Sequence, residues 1–263
     1  MEFKFKENYD IEDLLRIMEM LRSENGCPWD REQDHKSIRK NFLEETYEVL
    51  EAIDTDDKEL LKEELGDVLL QVVFHSRMEE EEKCFSFSDV CDGVCKKLIY
   101  RHPHIFSDTK VSGAEEVLKN WEELKNKEKG RDKATETLMS VPKVFPALMR
   151  CQKVQQRASK AGMDIPSLKE AIRLLESEID ELKKDIEKGY KDGIEDELGD
   201  VIFSAVNVAR LSGVDSEKAA GDSCEKFIKR FEAVEKELAS KGSSIKETSE
   251  KELDEIWEKV KNM

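Results

Sequence analysis

Apolar residues recur along this chain at intervals of three and four, the spacing that gathers them on one side of an α-helix. The first such run spans about 10–24 and ends at the turn-like "NGCPWD" of 25–30. A second covers 35–54, closed by "DTDD". A third covers 57–82, where Leu60, Leu61, Leu65, Val68, Leu69, Val72 and Val73 make a broad apolar face. A fourth, 87–101, stops at "RHPHIF", because Pro103 cannot continue a helix. A fifth covers 113–128 and carries Trp121. The rhythm is lost over 126–143 and resumes at about 144–160, 167–188, 191–211, 215–240 and 248–262. Five helices on each side of an arrhythmic segment predict an all-α protein. Two tandem helical-bundle domains, 1–130 and 144–263, would be joined by a linker at 131–143.

Composition narrows the classes of function. Charged residues are 40% of the 263, hydrophobic residues 38% and aromatics 7%, with five prolines. A chain rich in Glu, Lys and Leu favours helix over sheet. The formal charge of −17 argues against a binder of nucleic-acid polymer or of an anionic membrane. It leaves room for a small phosphorylated ligand, since a bound cation can mediate. No apolar run reaches the roughly 18 residues of a membrane span. The N-terminal "MEFKFKENYD" has no signal-peptide core, and the six cysteines include no CxxC. Reduced cysteines in a cytoplasmic protein are therefore expected.

The chain also repeats itself. "ELGDV" occurs at 64–68 and again at 197–201. Glu45, Glu48, Glu64 and Asp67 become Glu178, Glu181, Glu197 and Asp200, each displaced by 133 residues. A second echo, "KLIYR" at 97–101 and "KFIKR" at 226–230, aligns Lys97 with Lys226 and Arg101 with Arg230. Each half closes on a tryptophan-bearing segment, with Trp121 and Trp257. A period this long marks a duplicated domain rather than a solenoid of roughly 20–50-residue units.

The repeated letters carry chemistry. Helical positions three apart lie about 60° apart around the axis, so Glu178 and Glu181 share a face, as do Glu197 and Asp200. They also continue apolar stripes: Ala171, Leu174 and Leu175 lead to Glu178, and Ile38 and Phe42 lead to Glu45. Inward carboxylates are costly unless paired or metal-bound. Two antiparallel helices would gather all four. An all-oxygen set without His or Cys suits Mg²⁺, or Mn²⁺, better than Zn²⁺. Lys and Arg at i and i+4 of a following helix could hold phosphates. One ExxE among 61 acidic residues is ordinarily a solvated helix face; the duplication at constant offset is what argues for a site. The tryptophans suit either a core or a nucleobase stack. His102 and His104 suit a structural turn, and "EQDH" at 32–35 is the only ExxH, one short of a di-iron bundle. Gly66 and Gly199 sit mid-helix, at a cost of up to about 1 kcal/mol. Close helix approach is expected at both.

"EExxE" at 44–48 followed by "ExxD" at 64–67 resembles the all-α nucleoside triphosphate pyrophosphohydrolases. "GCPWDREQDHKSI", "EELGDVLLQVVFH" and "RHPHIF" resemble the MazG family specifically, and the likeness covers nearly the whole chain. The resemblance implies helical homodimers that use Mg²⁺ to cleave nucleoside and deoxynucleoside triphosphates to monophosphate and pyrophosphate, a chemistry for house-cleaning of the nucleotide pool or for stress signalling. It implies metal ligands at Glu178, Glu181, Glu197 and Asp200, with first-half counterparts Glu45, Glu48, Glu64 and Asp67. Catalytic phosphate contacts fall on Lys226 and Arg230, with Trp257 at the base; Lys97, Arg101 and Trp121 are their counterparts. Arg173 and Lys191 are further candidates for substrate contact. The second half is expected to carry most of the turnover. Activity in tandem relatives is associated with the C-terminal domain, and Lys226, Lys229 and Arg230 make a denser basic helix. That half departs from the pattern at Ser177, which aligns with Glu44, and at Gly193, where some relatives carry lysine. The alternative is a non-catalytic regulatory protein that binds metal and nucleotide.

Overall fold

Capping residues and apolar stripes produce helices close to the expected bounds. The computed structural model describes residues 3–130 and 133–262, in two units, Met1–Lys125 and Asn126–Met263. Among the described residues there is no strand. The first unit runs through α1 (Ile11–Arg22), α2 (Pro28–Glu32), α3 (Arg39–Asp54), α4 (Lys58–Glu81), α5 (Phe87–Arg101), α6 (Pro103–Phe106) and α7 (Ala114–Glu128), whose last turn passes its boundary. The second holds α8 (Ala134–Met139), α9 (Ala147–Lys160), α10 (Leu168–Lys188), α11 (Lys191–Leu211), α12 (Ser216–Ser240) and α13 (Glu250–Lys261), with a 3-10 turn at Ile245–Glu247.

Three short helices were not expected. Pro28 and Pro103 each occupy the first turn of α2 and α6, where a missing N–H costs nothing. Pro103 therefore starts a helix as well as ending one. The third, α8, lies inside the expected linker 131–143, and Arg131 and Asp132 of that linker fall outside the described residues. Arg157 of α9 donates to the Thr137 carbonyl and to Ser140 Oγ at 2.6 Å, and Val141 is only 2% exposed. The segment is thus fastened to the second unit rather than strung between domains.

The long helices form two hairpins, α3 with α4 and α10 with α11, and these are the most extensive helix contacts of the molecule. Each hairpin turns through a residue in the left-handed region: Asp56 at φ 52° and Gly189 at φ 66°. These two positions are themselves 133 apart. Glu48 and Glu64 stand eight residues to either side of Asp56, and Glu45 and Asp67 eleven. Glu181 and Glu197, then Glu178 and Asp200, stand in the same way about Gly189. Helices of equal rise therefore bring each pair level across the hairpin.

Core packing differs between the units. Met18, Ile38, Val73, Phe74 and Met78 join α1 to α4 in the first. In the second, Val234 and Leu238 meet Ile256 and Val260 between α12 and α13. Gly66 and Gly199 do not sit at close approaches, because a Cβ at either would meet nothing within 4 Å. Gly193 does: a Cβ there would collide with Asp185 Oδ2 and the Tyr190 ring. A hydrogen-bonded chain pins the segment before α3 to α4. His35 Nε2 lies 2.7 Å from Glu79 Oε1, and His35 Nδ1 lies 2.7 Å from His75 Nδ1. The two rings are within 6° of coplanar with centroids 5.0 Å apart. That separation is about the nitrogen distance plus two ring radii, so the contact is an in-plane N–H···N bond rather than a stack.

Candidate active site

The second-unit site is built on the facing sides of α10 and α11. Ser167 caps α10, accepting from the Glu170 N–H, and the left-handed Gly189 ends it. One carboxylate oxygen from each of Glu178, Glu197 and Asp200 lies within 4.8 Å of the others. Glu181 stands beside this trio, and its charge is felt by both Glu178 and Glu197. Burial raises the proton affinity of Glu178 above the usual carboxylate value, with Asp200 and Glu181 adding to it. Burial raises Glu197 likewise, helped by Glu181, Asp185, Glu178 and Asp200. Glu197 Oε2 is buried and has no hydrogen-bond partner among the described residues. A desolvated acceptor beside four like charges is what a hard cation would relieve.

The first unit repeats the cluster with a different member set aside. Here Glu45, Glu48 and Glu64 converge within 4.8 Å, and Glu64 is 8% exposed. Asp67 stands beside them and acts on Glu45 and Glu64 through its charge. Burial raises the proton affinity of both glutamates. A carboxyl hydrogen bond to Glu48 adds to each, and the Glu48 charge acts on them as well.

The basic and aromatic candidates are placed less uniformly. Lys226, Lys229 and Arg230 line an open cavity of about 610 Å³ with Asp222, Glu225 and Lys261. That lining includes none of the four carboxylates. Trp257 is half-buried against the α12–α13 core, its ring 5.2 Å from Phe227. Arg101 is 6% exposed and lies 5.0 Å over the Trp121 ring, so the two expected ligand contacts of the first half engage each other. Lys97 is exposed on α5, and Lys191 opens α11 at the surface. Arg173 is held by Glu170 through bonds of 2.7 and 3.0 Å. Asp185 and Lys188, outside the residues expected from the sequence, form an ion pair at 2.8 Å in the last turn of α10. Their i, i+3 spacing beside Gly189 was the only signal.

Comparison with known proteins supplies the lineage. The model of the MazG nucleotide pyrophosphohydrolase domain matches residues 33–106 and again 167–235, spans that contain all eight carboxylates. A protein of Escherichia coli (strain K12) named nucleoside triphosphate pyrophosphohydrolase is 41% identical over 254 residues, covering 95% of this chain and 97% of its own length. The nucleoside triphosphate pyrophosphohydrolase/pyrophosphatase MazG of Thermotoga maritima is 40% identical over 251 residues, 95% of each chain. The uncharacterised YabN of Bacillus subtilis is 38% identical over 96% of this chain but only 52% of its own. Two matched copies on two helical hairpins, with full-length relatives at this identity, mean that the chain belongs to the MazG family as a tandem-domain member.

Proposed function

We propose that the protein is a Mg²⁺-dependent nucleoside triphosphate pyrophosphohydrolase acting on NTPs and dNTPs of the cytoplasmic pool, with its main site in the second unit. The observation that carries this reading is the Glu178–Glu197–Asp200 trio with the unpartnered Glu197 Oε2. Glu178, Glu181, Glu197 and Asp200 would hold the metal, as Glu45, Glu48, Glu64 and Asp67 would in the first unit. Bound there, Mg²⁺ (or Mn²⁺) neutralises phosphate charge and polarises the phosphoryl oxygens. The reaction breaks the bond between the α-phosphorus and its bridging oxygen. Water adds to the α-phosphorus, giving the monophosphate, and pyrophosphate leaves. Lys226 and Arg230 offset charge on the phosphates, and Trp257 offers a ring on which the base stacks. Both full-length relatives carry the name nucleoside triphosphate pyrophosphohydrolase, which supports this reading.

A homodimer belongs to the same reading. Leu43, Tyr47 and Leu50 of α3 and Leu198, Ile202 and Phe203 of α11 are exposed on the hairpins. Apolar faces of this extent call for a partner surface. A panel of NTPs and dNTPs assayed with Mg²⁺, with Mn²⁺ and with EDTA tests the activity. Pyrophosphate release that stops in EDTA and returns with either metal is expected. Orthophosphate as the product, or full turnover in EDTA, overturns the reading. Light scattering should give twice the chain mass of 30.4 kDa.

A further inference from the structure

The two hairpins are level in their carboxylates but not in the turn nearest the loop. Four residues to either side of Gly189 stand Asp185 and Gly193. The corresponding residues about Asp56 are Ala52 and Leu60, with Ala52 buried. Lys188 aligns with Thr55. A polar rung thus replaces an apolar one, and it lies one helical turn from the Glu181–Glu197 rung.

The polar rung is built rather than incidental. The space a side chain at 193 would need is taken by Asp185 Oδ2 and the Tyr190 ring, so Asp185 leans across onto α11. Its other oxygen, Oδ1, accepts from Lys188 Nζ at 2.8 Å. The Asp185 side chain is 16% exposed while that of Lys188 is 66% exposed, so the carboxylate is anchored and the ammonium faces solvent. Glu197 senses the Asp185 charge and Lys188 senses the Glu197 charge, which places the pair at the rim of the carboxylate cluster.

We propose that Lys188, held by Asp185 in the space left by Gly193, is a phosphate-binding residue of the second-unit site, and that Asp185 is its positioning residue. The proposal rests on the reading of that unit as the pyrophosphohydrolase site. Its chemistry follows from charge. A triphosphate brought to four carboxylates needs more positive charge than one divalent ion carries. An exposed ion pair is weak and readily exchanged, so the ammonium can pass from Asp185 to a phosphate oxygen when a nucleotide docks. The first unit, with Thr55 and Ala52, has no such cation at the same place.

The test uses the full chain and Mg²⁺–ATP, following pyrophosphate. Lys188→Ala should raise KM about tenfold, or 1.4 kcal/mol of binding, with kcat within about threefold. Lys188→Arg should recover most of the loss, and Asp185→Asn should raise KM in the same direction by less. Lys183→Ala is the control, since Lys183 makes the same kind of pair with Asp180 on α10. Glu197→Gln separates the two readings. If it abolishes turnover while Lys188→Ala leaves KM unchanged, the proposal fails and the site stands. If Glu197→Gln leaves turnover normal, the second unit is not the site and both fall. A Lys188→Ala effect matched by Lys183→Ala also overturns the proposal.

Discussion

Gly193 and Gly199 lie in the same helix, and replacing each by alanine should move stability in opposite directions. Alanine is favoured over glycine in a helix interior by about 1 kcal/mol. At 199 a Cβ meets nothing within 4 Å, so that gain should appear nearly whole, as a stabilisation of about 0.5–1 kcal/mol. At 193 the new methyl overlaps Asp185 Oδ2 and comes within 2.7 Å of Tyr190 Cε1. The carboxylate can swing away only by leaving its place beside Lys188, and the Tyr190 ring, at the N-terminus of α11, must rotate out as well. Overpacking of this kind costs about 1–3 kcal/mol, leaving a net loss of up to about 2 kcal/mol after the helical gain. The two variants should therefore differ by about 1–3 kcal/mol. Urea unfolding in EDTA measures this. With Trp29 and Trp121 changed to Phe, the fluorescence of Trp257 reports the second unit, because the chain has only three tryptophans. Equal stability of the two variants, or a more stable Gly193→Ala, would refute the collision.

Three further outcomes are expected. Glu197→Gln should cut pyrophosphate release by at least about a hundredfold, on the order of 3 kcal/mol in barrier, and Glu64→Gln far less; the reverse pattern would move the site to the first unit. Glu45, Glu64, Glu178 and Glu197 hold protons above their usual value of 4.5, chiefly through burial. The stability they contribute is full below pH 4.5 and is lost as pH rises through their folded values, so Mg²⁺ should raise the melting temperature more at pH 8 than at pH 5; an equal rise at both would count against a metal on these groups. His75 has the opposite sign: burial, then the neighbouring His35, lowers it below 6.5. Its contribution is present above pH 6.5 and is lost as pH falls through the folded value. His75→Gln should therefore lose less stability than wild type between pH 7 and pH 5 in EDTA, and parallel curves would contradict this.

The long helices were legible because each buries a stripe at helical spacing, and the two carboxylate clusters because duplication separated signal from a very acidic background. What stayed hidden depends on contacts made outside a residue's own helix. α8 has too few apolar residues to show a rhythm, and is secured by Arg157 from the next helix. The expectation that Gly66 and Gly199 mark close approaches rested on the rarity of mid-helix glycine, yet the crowding occurs at Gly193, through a ring and a carboxylate from across the turn. Spacing put Glu45 and Glu48 on one face but could not say that Asp67 would stand aside in one unit and Glu181 in the other. The pairing of Arg101 with Trp121 is likewise invisible to an alignment of "KLIYR" with "KFIKR".

The left-handed residue at each hairpin turn behaves as the zero mark of a ruler. One residue inserted between Gly189 and Glu197 would swing Glu197 and Asp200 by about 100° and lift them by about 1.5 Å, emptying two of the three corners of the cluster. Two whole turns, about seven residues, would restore the facing direction but leave the pairs roughly 10 Å out of step. Only equal lengthening of both arms keeps the rungs level. The arms between turn and carboxylates are thus closed to insertion and deletion, while length beyond Glu178 and Asp200 is free to drift. Both hairpins of this chain count eight and eleven from their pivots, as such a restriction would demand of any two copies that diverged in nearly everything else.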